Sequence, residues 1–365
     1  MEIFKKSTVQ PRVKDFFSQS LKNDRLAHAY IFYGSEGRGK ESFAFELAKT
    51  LNCTGTDRPC NTCPSCLKIN NFNHPDIKYI FPVPARTSAK TLNEILQQKT
   101  HNPFLPVDLP GHKNISIDMI RELKNEAKYA PFEAMKRVFI IYGAEYFSRE
   151  AANSFLKLLE EPPDDLLLLL ITDNYQGLLD TIRSRCQPVY FPAFESEEII
   201  SIFKRYAIED PNLDSLIRTA QSNIKKIFRM LHSDYQQKRE WIYKFLKAIA
   251  ADNYLHITEL IDEITASRDK NHILEALELL ILWLRDAFHY SVTKDNSDFI
   301  NRDFAEALQK FAEFYADTNF ELLIRELENS YFKIQHNAHP ALALTHLSIK
   351  IHRLLQAKKP VKEAV

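Results

Sequence analysis

The chain has 365 residues, with 48 lysines and arginines against 48 aspartates and glutamates, so its formal net charge is zero. That balance argues against a protein held on DNA by bulk electrostatics, although it leaves room for local basic patches. Only 7 residues are glycine, far below the usual share of about 7%. This points to helix and away from sandwiches, barrels and disordered tails.

The length suggests two or three domains. No uninterrupted apolar stretch follows the first lysines. The apolar run Leu166–Ile171 is six residues long, against about 20 for a membrane span. The expected location is cytoplasmic, with no membrane contact. Four of the five cysteines fall within fourteen residues and Cys186 stands alone. In a reducing compartment such a cluster suits a metal site better than a disulfide framework.

In chain order, residues 10–21 have helical spacing, with Val13, Phe16, Phe17 and Leu21 on one face. Residues 27–33 read as a short buried strand, Gly34–Lys40 as a loop and 41–51 as a helix. A cysteine loop at 53–66 precedes a second strand at 76–81. The proline-rich stretch 82–113 reads as a surface excursion with a possible short helix at 92–99. Residues 116–129 return to helix, with Ser116 as a candidate N-cap. Arg137–Tyr142 is a buried strand, and residues 148–160 form a helix stopped by Pro162-Pro163. Leu166–Thr172 and residues 188–191 complete the strands. Strands alternating with helices imply a parallel sheet covered on both faces. Short helices fill 195–235, and long amphipathic helices fill 236–357. Residues 274–288 are apolar almost all round and belong at the centre of a bundle. The charged end from Pro360 should fray.

Gly34-Ser35-Glu36-Gly37-Arg38-Gly39-Lys40-Glu41 matches the phosphate-loop pattern G-x-x-x-x-G-K-[ST] except at its last position. In such loops backbone N–H groups cradle phosphate, the lysine reaches the terminal phosphates and the hydroxyl holds magnesium. A carboxylate at position 41 repels phosphate and cannot reproduce the hydroxyl ligand. A working ATPase also needs acidic residues at a neighbouring strand end. The strand at 137–142 ends instead in Tyr142-Gly143, with Glu145 two residues on. Two magnesium-handling positions are therefore missing, and Gly34, Gly37, Gly39 and Lys40 read as a degenerate loop that neither holds nor hydrolyses ATP.

Cys53-x6-Cys60-x2-Cys63-x2-Cys66 offers four thiolates at spacings suited to tetrahedral zinc. A closed four-sulfur shell leaves no open position, so the role is structural. Ser184-Arg185-Cys186 lies beyond the Leu166–Thr172 strand. Alone, Arg185 reads as a solvated surface residue. His74 reads as a turn histidine, Trp241 and Trp283 as core or interface, and the pair Lys225-Lys226 as a solvated helix face.

Residues 25–30 (Arg-Leu-Ala-His-Ala-Tyr), the phosphate loop, the four cysteines, the helix ending Leu158-Leu159-Glu160-Glu161-Pro162-Pro163 and Ser184-Arg185-Cys186 together resemble bacterial clamp-loader subunits of the AAA+ class. The resemblance runs over about residues 10–80 and 114–192. It implies an α/β AAA+ domain with a P-loop and parallel sheet at 1–192, carrying the zinc module at 53–66. A small helical lid domain at 193–235 and an all-α oligomerisation collar at 236–365 follow. Within the family, the altered phosphate loop and the absent acidic pair select a subunit that has lost ATPase function. The family's zinc ligands transfer onto Cys53, Cys60, Cys63 and Cys66. Its arginine finger, which completes a neighbouring motor subunit's ATP site, transfers onto Arg185 with Ser184 and Cys186 as its motif partners. The implied partners are motor and clamp-opening subunits in a five-subunit ring, with the sliding clamp and primed DNA reached through the complex. The stretch 82–113 is longer than the family leads one to expect. Two other readings stand beside this one: an ATP-hydrolysing motor subunit of the same machine, and a zinc-containing DNA-binding module. The zero net charge and the lack of a basic stripe weigh against the latter.

Overall fold

The computed structural model describes residues 3, 4, 11–85, 87–105, 109, 111, 113–206, 208, 210, 213–231, 235–267 and 269–357. The end from Pro360, expected to fray, lies outside the described residues. Two compact units divide the chain: residues 1–213 with 220–229, and residues 214–219 with 230–365. Among the described residues no helix is long and apolar enough to cross a membrane.

The first unit runs α1 (Pro11–Lys22), β1 (Ala29–Tyr33), α2 (Lys40–Asn52), α3 (Pro64–Asn70), β2 (Ile77–Ile80), α4 (Ala89–His101), α5 (Ile117–Glu126), β3 (Arg137–Tyr142), α6 (Arg149–Glu160), β4 (Leu166–Thr172), α7 (Asp180–Arg183), β5 (Gln187–Tyr190) and α8 (Ser196–Arg205). The strands form one parallel sheet in the order β2-β3-β4-β1-β5, which bears out the α/β reading. The unbroken leucine run of β4 is buried along its whole length because the strand is central and covered on both faces. Alternate residues serve opposite faces. Ile31, Phe139 and Leu168 join α5 and α6 in one core, while Phe32, Ile140 and Leu169 join α1 and α2 in the other. Ser116 and Ser148 cap α5 and α6 through backbone N–H groups of Met119 and Ala151. The sequence reading had no helix at α3. Pro64 at its first position favours the start of a helix there, so Cys66 sits in the first turn of α3.

Buried Asp76 ties the sheet edge to the segment before β3. Its carboxylate accepts from the backbone N–H groups of Phe132, Glu133 and Ala134 at 2.8–3.0 Å and from Arg137 at 3.0 Å. Burial alone would raise this carboxyl, but those bonds hold it at about 2.

Between the units the chain forms α9 (Leu213–Thr219) and α10 (Ile224–Leu231), each divided between them. The second unit continues with α11 (Tyr235–Ala250), α12 (Tyr254–Thr265), α13 (Lys270–Thr293), α14 (Ala305–Phe314), α15 (Phe320–Gln335) and α16 (Pro340–Gln356). Helix α13 is the predicted central helix, burying Leu277, Leu280, Leu284 and Ala287. Trp241 is a core residue whose indole N–H reaches Leu260 O at 2.8 Å, and Trp283 is buried too. Asp286 accepts from the backbone N–H groups of Ile300 and Asn301 and from the Asn301 amide. There burial prevails, and its carboxyl is raised.

Candidate functional site

Helix α2 has a loop at each end, and both loops carry chemistry. The N-terminal loop lies at the carboxyl end of β1, where open α/β sheets place their ligands. Gly39 caps the helix with φ +77°, and a Cβ there would meet the Phe194 ring at 2.6 Å. At Gly37, with φ +73°, a Cβ would meet the Asn223 side chain at 1.9 Å. The glycines therefore fit the loop closely against its own protein, from the segments that precede α8 and open α10.

Lys40 does not reach outward. Its ammonium donates to the carbonyls of Gly34 and Ser35 at 2.5 and 2.6 Å and pairs with Asp173 at 2.6 Å. Glu41 is 4% exposed. One carboxylate oxygen pairs with Lys99 at 2.6 Å and accepts from the Tyr79 hydroxyl, and the other pairs with Lys225 at 3.0 Å. Burial on its own would push this carboxyl up, yet Lys225 and Lys99 outweigh it and hold it at about 2. Lys225 also lies over the Tyr142 ring, 4.3 Å from its centroid, and donates to its hydroxyl at 3.1 Å. Tyr142, the residue found where the acidic pair is missing, thus helps to house a cation.

The space left around residues 37–42 is about 10 Å³, at most room for one water molecule. Beside it an open cleft of about 540 Å³ carries Glu36, Glu145 and Asp173 against Lys113 and Arg229. Glu36 and Arg229 pair through two bonds, at 2.9 and 3.1 Å. Burial raises the Glu145 carboxyl. Carboxylates on this wall repel a polyphosphate.

The reading of Lys225 as part of a solvated helix face was wrong. Lys225 is 6% exposed, because α10 brings it onto the carboxylate at position 41. Lys99 was missed altogether. The signal for both was the acidic residue itself: a buried carboxylate needs cations, although nothing in the local pattern says which.

At the other end of α2, Cys53, Cys60, Cys63 and Cys66 bring their sulfurs within 4.8 Å of one another. The Cys53 and Cys63 sulfurs are 4.0 Å apart, too far for a disulfide. This is close to the edge of about 3.8 Å that metal–sulfur bonds of about 2.3 Å give a tetrahedron. Backbone N–H groups of Gly55 and Cys60 point at the Cys53 sulfur, and those of Thr62 and Cys63 at the Cys60 sulfur. Four convergent sulfurs so solvated fit a metal ion. His74 stands apart from them as a buried turn residue, its Nδ1 accepting from the Asp76 N–H at 3.2 Å.

Arg185 follows the short helix α7 and lies partly exposed. It bonds Thr181 O at 2.9 Å and pairs with Glu160 at 2.8 Å. Two of the motifs singled out in the sequence therefore meet: the arginine rests on the last residue of α6. Ser184 bonds back to Thr181 O at 3.2 Å. Cys186 turns inward to the core, where burial pushes its thiol up to about 12, so it packs and does not react at neutral pH.

A family model described as DNA polymerase III, delta subunit, matches residues 9–195. The chain is 27% identical to the DNA polymerase III subunit delta' of Bacillus subtilis over 307 residues, covering 83% of this chain and 84% of that one. It is 28% identical to the DNA polymerase III subunit tau of Escherichia coli over 287 residues, which span 75% of this chain but 40% of that protein. Among solved structures, a DNA polymerase III gamma subunit-related protein from Thermotoga maritima aligns at a TM-score of 0.41 with 16% identity, over 93% of this chain and 99% of that one.

Proposed function

Because the chain belongs to the DNA polymerase III delta-subunit family, matched over residues 9–195, we propose that it is the non-hydrolysing, delta-prime-type member of a bacterial clamp loader. The observation that carries this reading is the filled phosphate loop. Lys40 is spent on its own loop and Asp173, and Glu41 holds two lysines where a hydroxyl would hold magnesium. Similarity to the delta' subunit over most of both chains supports the same choice.

In this role the chain works with tau/gamma-type motor subunits and a clamp-opening subunit in a five-subunit ring that loads a sliding clamp onto primed DNA. Residues 193–235 act as the lid domain, and residues 236–365 supply the collar. The ring operates in the cytoplasm, beside the replisome. Zinc, held by Cys53, Cys60, Cys63 and Cys66, is structural: it would fix a loop that has no apolar core of its own. Arg185 acts in trans, its guanidinium stabilising charge on the γ-phosphate at a neighbour's ATP site. To do so it must leave Glu160, and an exposed pair of this kind costs about 0–1 kcal/mol to break.

The test is a reconstituted loader with ATP, clamp and primed DNA. Arg185→Ala should lower DNA-dependent ATPase by about tenfold or more without disturbing assembly. That is well below the roughly 10³–10⁵ of single-site fingers, since one arginine serves one of several sites. Arg185→Lys should not restore the rate, because a point charge lacks the planar fork. An unchanged rate in an intact ring removes the finger assignment. Turnover by the isolated chain would favour the motor-subunit reading instead.

A further inference from the structure

The excursion between β2 and α5 is closed at its neck by an antiparallel bridge, with Val83 N–H to Asn114 O at 3.2 Å and the reverse bond at 3.3 Å. Within it, α4 starts at Ser88, whose hydroxyl accepts from Thr91 N–H at 3.2 Å, and stops before Asn102. A surface helix ordinarily holds on through an apolar stripe. In α4 the one fully buried side chain is a lysine, Lys99, at 2% exposed. Its ammonium donates to Leu105 O at 2.8 Å and pairs with Glu41 at 2.6 Å. Asn102 accepts from Phe104 N–H at 2.9 Å, and the turn so formed lays Pro103 and Phe104 against residues 37–42. The Phe104 ring meets Tyr206 edge-on at 6.1 Å.

We infer that residues 88–105 are a built-in plug of the phosphate loop. The Lys99 ammonium stands in for the divalent cation that a hydroxyl at position 41 would hold, and Pro103-Phe104 fill the space in which phosphates would lie. The inference rests on the inert-site reading above and goes a step further. The site is shut by an inserted segment of the chain, so restoring the missing hydroxyl is not enough to open it. The anchoring is double: Lys99 bonds both Glu41 and Leu105 O, and the turn behind it is seated by the buried Phe104 ring and Asn102, so the segment keeps its place when residue 41 loses its carboxylate.

The test is binding of a fluorescent ADP analogue, with magnesium, to the full chain and two variants. These are Glu41→Thr, and Glu41→Thr with residues 88–105 replaced by a short Gly/Ser linker. Thermal unfolding confirms that each protein is folded. The unaltered chain and Glu41→Thr should both stay silent, and the combined variant should bind at least 100-fold more tightly than the detection limit set by Glu41→Thr. Equal binding by Glu41→Thr alone overturns the plug and leaves the inert-site reading standing. Silence from a folded combined variant also overturns it and assigns the closure to Asn223 and Phe194. Binding with turnover by the unaltered chain overturns both readings. Should the linker variant not fold, hydrogen exchange on Lys99→Met with Phe104→Ala, which removes both anchors, decides. Exchange at residues 34–41 should quicken at least tenfold while residues 53–66 stay unchanged, and no change at 34–41 overturns the plug.

Discussion

The two loops that flank α2 treat charge in opposite ways. At its N-terminal end, groups that would surround a nucleotide surround each other, with three lysines and two carboxylates paired at 2.6–3.0 Å. At its C-terminal end, four thiols converge within 4.8 Å of one another. A buried charge must be compensated by something. The first loop is compensated by residues from elsewhere in the chain, and the second offers four converging sulfurs that fit an ion. Two loops on one helix can therefore differ in whether their shape depends on anything outside the protein.

The cysteine loop is the sharpest place to break that contrast. Cys66→Ser removes one of four ligands, and its metal affinity should fall by more than the roughly 100-fold upper end for changes outside the ligand shell. Metal analysis of the unaltered chain should give about one zinc per chain. In the variant, proteolysis should begin within residues 53–66. A metal-free preparation whose loop still resists protease would remove the contrast.

Next in size is Glu41→Gln, which keeps the shape and deletes the charge, leaving Lys99 and Lys225 buried without a carboxylate. Loss of one partner from such a cluster costs about 3–5 kcal/mol, measurable by urea unfolding. Replacing Glu41, Lys99 and Lys225 together by methionine should cost much less, since a whole buried ion set can give way to apolar packing. If the triple variant is the less stable of the two, the cluster is not a matter of mutual compensation.

The smallest effect is on acid stability. Glu41 lies at about 2 in the folded protein against an ordinary 4.5, a depressed carboxyl, so its stabilisation is full above pH 4.5 and lost as pH falls from there to 2. The whole shift corresponds to about 3 kcal/mol, only part of which is lost by pH 3. Asp76 adds a loss of the same sign between 3.8 and about 2. Asp286 in the second unit is raised by burial, so its contribution has the opposite sign and favours folding as pH falls. Urea midpoints at pH 5 and pH 3, read with probes in each unit, should show the first unit losing more. Equal losses would mean that the first unit's carboxylates are not held down as described.

What could be read from the chain follows the reach of each signal. The strands were legible because runs such as Leu166–Thr172 owe their burial to their own composition, and α6 because Ser148 and Pro162 mark its ends. The cysteine cluster was legible because its ligands lie within fourteen residues of one another. The closed phosphate loop was legible only as misfits at Glu41 and Tyr142. Its partners lie far along the chain, Lys99 on a helix whose other residues look like surface and Lys225 on one that reads as solvated. Pairings of that kind depend on where the fold brings distant segments, and no local period records it. The excursion at 82–113 hid its role for the same reason.

Helix α2 has eleven of its thirteen residues buried, so it has almost no face turned to solvent. A rod packed on nearly every side can neither roll nor slide without dismantling its neighbours. Thirteen residues at about 1.5 Å each make it about 20 Å long. It therefore acts as a stiff keel that keeps the two loops at a fixed spacing, so that either loop can loosen without carrying the other out of place.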